Sequence, residues 1–157
     1  MKMIRVIPEN CTGCRLCEVT CSFVHFRKCT PELSRIRIIK EEERGDHIII
    51  LCMQCADAPC IDACPVDALN RDDETGVVIV DGDLCIGCGD CKEACPIGAT
   101  FMHSEEDVAL ICDLCGGDPE CLKICSREAL ISVDTEITDP SRKFFMESTS
   151  EQLLRYA

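Results

Sequence analysis

Apolar and polar positions along this chain alternate in short blocks, and no apolar block is long. Residues 35–39 (RIRII) and 47–51 (HIIIL) are β-branched runs on either side of the polar segment EEERGD, the pattern of a β-hairpin. Residues 77–80 (VVIV) follow the turn RDDETG, and residues 100–103 and 108–111 flank SEED, so further hairpins are predicted there. Helical signals are shorter still. The stretches CIDAC and CKEAC space their ends four apart, which fits one or two helical turns that Pro65 and Pro96 then limit. The longest purely apolar run, residues 48–53, is far below the roughly 18 residues of a membrane span.

Composition changes this picture. The chain has 157 residues with no Trp, one Tyr and five Phe, so large aromatic side chains are too few to fill a core. It has 17 Cys instead. The length suits one compact domain or two small fused modules. The opening MKMIRVIPEN has no apolar export segment and no twin arginine, which predicts a cytoplasmic protein. In a reducing compartment abundant cysteine points to metal before disulfide. The formal charge of −13 argues against nucleic acid. Acidic runs at 41–43, 72–74 and 105–107 read as solvated turns.

Sixteen of the 17 cysteines fall into four quartets. They are Cys11, Cys14, Cys17 and Cys21; Cys52, Cys55, Cys60 and Cys64; Cys85, Cys88, Cys91 and Cys95; and Cys112, Cys115, Cys121 and Cys125. The third reads CIGCGDCKEACP, the C-x2-C-x2-C-x3-C-P run of bacterial ferredoxins, in which three thiolates wrap one cubane and the fourth reaches another. Structural zinc draws on two well-separated C-x2-C knuckles and gives no reason for a third cysteine at short spacing four times over. A disulfide framework fits neither the odd cysteine count nor the predicted compartment.

From Cys11 to Cys125 the chain resembles the four-cluster ferredoxin-type electron-transfer subunits that accompany DMSO reductase, formate dehydrogenase and tungsten aldehyde oxidoreductase catalytic subunits. The resemblance implies an α+β fold of two ferredoxin-like dicluster modules related by a pseudo-twofold, with short helices and β-hairpins around four [4Fe-4S] clusters. It also implies the ligand sets. One cluster takes Cys11, Cys14, Cys17 and Cys125, and another Cys112, Cys115, Cys121 and Cys21. The inner pair takes Cys52, Cys55 and Cys60 with Cys95, and Cys85, Cys88 and Cys91 with Cys64. The expected organisation is an outer module of residues 1–51 and 96–134, an inner module of 52–95, and an extension at 135–157. Ser22 and Ser126 stand where the ferredoxin pattern has proline, and the second and fourth quartets widen the middle gap with ADAP and GGDPE. These departures bear on the shape and potential of the clusters, and every ligand is retained.

With 16 thiolates committed, and no glycine-rich nucleotide loop or nucleophile elbow, the expected role is electron transfer without catalysis. The expected partners are a molybdenum or tungsten catalytic subunit and a ferredoxin or flavin/NAD-type redox subunit. The compact fourth quartet and short chain resemble most the small subunits of tungsten aldehyde oxidoreductase and benzoyl-CoA reductase complexes. A free polyferredoxin carrier and a linking subunit are the competing readings. In the tail, Phe144, Phe145, Met146, Leu153 and Leu154, with a capping box at 148–151, either fold back over the body or dock a partner. Cys29 lies outside every quartet, and His25, His47 and His103 show no local ligand pattern, so the sequence gives them no role.

Overall fold

A computed structural model describes residues 2–41 and 45–134. The extension at 135–157, with its capping box and apolar cluster, lies outside the described residues. In chain order the elements are β1 (Lys2–Val6), α1 (Leu16–Phe26), β2 (Ile36–Glu41), β3 (Asp46–Leu51), α2 (Pro59–Asp62), β4 (Leu69–Arg71), β5 (Val78–Val80), α3 (Asp90–Glu93), β6 (Phe101–Met102), β7 (Ala109–Leu110), α4 (Glu120–Ile124) and β8 (Leu130–Asp134). The strands form four antiparallel pairs, β1–β8, β2–β3, β4–β5 and β6–β7. The result is an α+β fold of short helices and hairpins.

The longest hairpin, β2–β3, sets Ile38 opposite Ile49 and Ile36 opposite Leu51. Within it β3 is continuously apolar from Ile48 to Leu51 because both faces of that strand are covered. Ile48 and Ile50 pack with Met3, Met53, Ile97 and Ala99, while Ile49 and Leu51 pack with Ile4, Ile36, Leu114 and Leu130. Each such side chain, fully buried, contributes about 1.5–3 kcal/mol. A third cluster joins Ala58, Ala68, Leu69, Val78, Ala109 and Ile111. Cys52 packs against all three.

The ribbon β1–β8 is not among the hairpins that the apolar pattern predicts. Its strands come from opposite ends of the described chain, with Ile4 opposite Ser132, and no turn signal joins them. It ties the first quartet to the last, and α1 packs on α4 beside it. In the same way α2 packs on α3, so the second and third quartets meet.

One helix departs from the expected length. α2 and α3 stop before Pro65 and Pro96, but α1 runs on past Cys21 to Phe26. Ser22 explains the difference: it keeps the backbone N–H that proline lacks, and its hydroxyl donates back to the Val19 carbonyl at 3.0 Å. Ser126 does not have this effect. α4 ends at Ile124, because Cys125 leaves the helical region at ψ 87°.

Candidate metal centres

All four quartets open with the same backbone turn. The residue just before the second cysteine has positive φ in each: Gly13 at 63°, Gln54 at 51°, Gly87 at 68° and Leu114 at 53°. This left-handed step curls the N–H groups inward into an anion-binding nest. The Gly13 and Gln54 amides lie 3.5 Å from the sulfurs of Cys11 and Cys52. A side chain at Gly13 would meet the His47 ring at 2.8 Å, and one at Gly87 would meet the Asp107 carbonyl at 2.4 Å. Glycine is favoured there by conformation, and the close approach of these neighbours leaves no room for a side chain.

The fourth cysteines receive their own donors. In CPVDA and CPIGA a left-handed residue three positions on, Asp67 at 52° or Gly98 at 62°, folds the next amide back. Ala68 N–H then donates to Cys64 Sγ at 3.3 Å, and Ala99 N–H to Cys95 Sγ at 3.2 Å. Cys21 lies inside α1 and cannot make this turn. Its donor is the Arg35 amide at 3.3 Å, brought in by the start of the β2–β3 hairpin.

The sulfurs converge in four groups. Cys52, Cys55, Cys60 and Cys95 line one cavity with Met53, Val78 and Ile97. Cys21, Cys112, Cys115 and Cys121 line a second with Ile36, Leu51 and Leu114. Cys11, Cys14, Cys17 and Cys125 line a third, where Ile38, Ile49 and Leu130 form the wall. The fourth group is seen from Cys91, whose ionisation is opposed first by burial and then by Cys85, Cys60, Cys88 and Cys64.

Neighbouring groups adjoin one another. Cys17 of the third cavity lies near Cys121 of the second, Cys112 of the second near Cys52 of the first, and Cys60 of the first near Cys91. Of the 16 quartet cysteines, only Cys14 and Cys88 are exposed, one in each end group.

Burial, with neighbouring sulfurs adding to it, pushes the Cys55 and Cys91 thiols up to about 11 and Cys112 up to about 12. For Cys17, burial and then the adjacent Glu18 carboxylate raise the value to about 12. Cys52 and Cys121 are pushed up as well, again chiefly by burial. Crowded, buried sulfurs of this kind become thiolates only when a cation neutralises them. The donor set is all sulfur and backbone N–H groups aim at it, so the residues fit iron–sulfur clusters.

Polar side chains hold the loops in place. Arg71 donates to the carbonyls of Cys55 and Ala56 and, at 2.9 Å, to that of Gly76. Glu18, fully buried, accepts from the Ile38 amide at 2.7 Å and pairs with Arg15. His25 lines the second cavity, with Nε2 3.8 Å from Cys115 Sγ. The sequence gives it no role, yet its place four residues after Cys21 on α1 puts both on one helix face, and that spacing is the signal. His103 is buried and its Nδ1 accepts from the Glu105 and Glu106 amides at 3.2 and 3.1 Å, a structural part. Cys29 is exposed and outside every sulfur group.

Comparison with known proteins agrees with this chemistry. Residues 46–135 match the 4Fe-4S dicluster domain, and residues 8–24 match a 4Fe-4S binding domain. The polyferredoxin-like subunit of the aliphatic sulfonate oxidoreductase of Pyrococcus furiosus is 47% identical over 122 residues, covering 78% of this chain and 70% of that protein. The thiosulfate reductase electron transfer subunit PhsB of Salmonella typhi is 33% identical over 138 residues, covering 78% and 70%. A chain of the active site complex BamBC of benzoyl coenzyme A reductase superposes with TM-score 0.54 over 99% of this chain and 90% of its own, at 24% identity, a likeness of fold. Among the described residues no helix is long and apolar enough to cross a membrane. The chain belongs to the 4Fe-4S dicluster domain family: its cofactors are [4Fe-4S] clusters, and it is an electron-transfer subunit of the kind that serves oxidoreductase complexes, not the catalyst.

Proposed function

We propose that this chain carries electrons between the active site of a molybdenum or tungsten oxidoreductase and a ferredoxin or flavin/NAD-type redox subunit, in the cytoplasm. A tungsten enzyme of the aldehyde:ferredoxin oxidoreductase family is the favoured catalytic partner. In this reading the ligand sets are Cys11, Cys14, Cys17 and Cys125; Cys112, Cys115, Cys121 and Cys21; Cys52, Cys55, Cys60 and Cys95; and Cys85, Cys88, Cys91 and Cys64. Bound clusters supply reversible one-electron chemistry. The chain's part is to hold them in file, keep water from the inner sets and present one sulfur at each end. Residues 1–51 and 96–134 form the outer dicluster module, 52–95 the inner one, and 135–157 a docking extension.

The observation that carries this reading is that, of the quartet cysteines, Cys14 and Cys88 alone are exposed, one in each end group, while the rest are buried or partly buried. The two ends differ chemically. Close to Cys88 in sequence are exposed Leu84 and Ile86 with exposed Asp81, Asp83 and Asp90, and exposed Asp107 lies against the Gly87 turn. Around Cys14 lie exposed Arg15, Leu16, Ile124 and Arg127. Two unlike apolar-centred faces suit two unlike partners, which favours a docked wire over a free carrier. The named relatives support a complex of this type, since one is a subunit of a sulfonate oxidoreductase and another belongs to a benzoyl coenzyme A reductase complex.

The test is gentle affinity purification of the tagged chain from anaerobically grown native cells, with tungsten and molybdenum analysis. A stoichiometric metal-containing partner is expected. Recovery of the chain alone, iron-loaded and without a catalytic partner, supports the free carrier instead.

A further inference from the structure

Among the described residues His25 is the histidine whose ring nitrogen approaches a quartet sulfur, a contact that the electron-transfer role leaves unused. α1 places it one turn after Cys21, in the cavity lined by Cys21, Cys112, Cys115 and Cys121. Its Nε2 lies 3.8 Å from Cys115 Sγ and 3.5 Å from Asp113 Oδ1. Both neighbours are acceptors. Asp113 Oδ1 already accepts from the Cys115 amide at 2.9 Å, and Oδ2 of the same carboxylate takes Arg35 at 2.5 Å. A ring nitrogen facing a carboxylate oxygen and a sulfur carries the proton itself. Arg35 pins Asp113, Asp113 pins the imidazole, and the Nε2–H is left pointing between carboxylate and sulfur.

We propose that His25 donates a hydrogen bond through Nε2–H to the Cys115 sulfur and thereby raises the reduction potential of the cluster held by Cys112, Cys115, Cys121 and Cys21, with Asp113 and Arg35 as positioning residues. The inference rests on the ligand sets given above. A donor to a ligand sulfur withdraws negative charge from it and so favours the reduced, more negative form of the cluster. The half-buried site strengthens the effect, because little water competes for the sulfur. Among the described residues no other histidine nitrogen hydrogen-bonds a quartet sulfur; the His47 ring lies against the Gly13 turn without such a bond, so the effect is confined to one cluster, the interior one next to the Cys14 end.

The test uses the full iron-loaded chain with His25→Leu and His25→Gln, and reads all four midpoint potentials by paramagnetic resonance during reductive titration. For leucine the expected result is full iron content, three unchanged potentials and one lowered. The fall should correspond to roughly a tenfold loss in that cluster's reduction equilibrium constant, about 59 mV for a one-electron couple. Glutamine, which retains an N–H donor, should recover most of the loss. Four unchanged potentials in the leucine protein overturn the proposal, as does a glutamine protein shifted as far as leucine. If leucine empties the cluster, 15N-histidine labelling in a His47→Gln background decides. Nitrogen coupling to one reduced cluster is then expected, and its absence contradicts the hydrogen bond. Fewer than four cubanes in the unsubstituted chain overturns the ligand sets themselves, and this inference with them.

Discussion

Gln54 Nε2 donates to the Cys112 carbonyl at 2.6 Å, while its Oε1 accepts from the Val78 amide at 2.8 Å. One fully buried side chain therefore joins the second quartet, the fourth quartet and the β4–β5 hairpin. It sits where Cys52 and Cys112 approach, so the second and fourth quartets share this link.

Gln54→Leu should leave two buried backbone groups without these partners. At about 1–3 kcal/mol for each, the expected loss of stability is roughly 2–6 kcal/mol. The measurement is the urea concentration at which the iron–sulfur absorbance is lost under anaerobic conditions. A midpoint equal to that of the unsubstituted chain would show that the link is dispensable.

Why was so much of this legible in the sequence, and where did legibility end? The hairpin at β2–β3 follows from β-branched residues flanking a charged turn, which is local information. The quartets announce their metal through spacing alone. Gln54 and Leu114 hold the same left-handed turn as Gly13 and Gly87, but only the glycines advertise it in the sequence. The β1–β8 ribbon and the His25–Cys115 approach are long-range contacts, set by how the quartets fold onto one another. Glu18 looks like an ordinary charged residue near a helix start, and its burial against the Ile38 amide depends on the hairpin that covers it.

Glu18→Leu should remove the acceptor for that amide and the partner of Arg15 together. A buried donor left unmade costs about 1–3 kcal/mol. Glu18→Gln keeps an acceptor in place and should cost less. Thermal release of iron from the two variants provides the comparison; leucine no worse than glutamine would contradict this account of the buried carboxylate.

Iron uptake should depend on pH in a definite direction. Burial keeps Cys17, Cys55, Cys91 and Cys112 protonated well above neutrality, at about 11 to 12. Ligation needs thiolates, so each iron–sulfur bond formed with these residues near pH 7 expels a proton. Raising pH from 7 to 9 should therefore favour cluster assembly. In the iron-free chain the same raised values act oppositely. Unfolded thiols ionise from about pH 8.5, below the folded values, so any iron-free structure loses stability as pH rises from there towards 12. Anaerobic reconstitution followed by absorbance at several pH values tests the first part, and circular dichroism of the iron-free chain the second. Uptake that slows with rising pH would contradict the burial argument.

Truncation after Asp134 removes no quartet cysteine and leaves β8 complete. The shortened chain should retain its full iron content. Its recovery with a catalytic partner should fall sharply, because Phe144, Phe145, Met146, Leu153 and Leu154 offer apolar anchors close together in sequence. Iron loss would instead make the extension part of the fold, and undiminished recovery would place the dock elsewhere.

The central claim is that 16 of the 17 cysteines serve four cubanes. Elemental analysis of anaerobically purified full-length chain tests it most directly, with acid-labile sulfide measured on the same sample. Four clusters require about 16 iron and about 16 sulfide per chain. About half those amounts, with zinc making up the difference, would contradict the four-cluster wire.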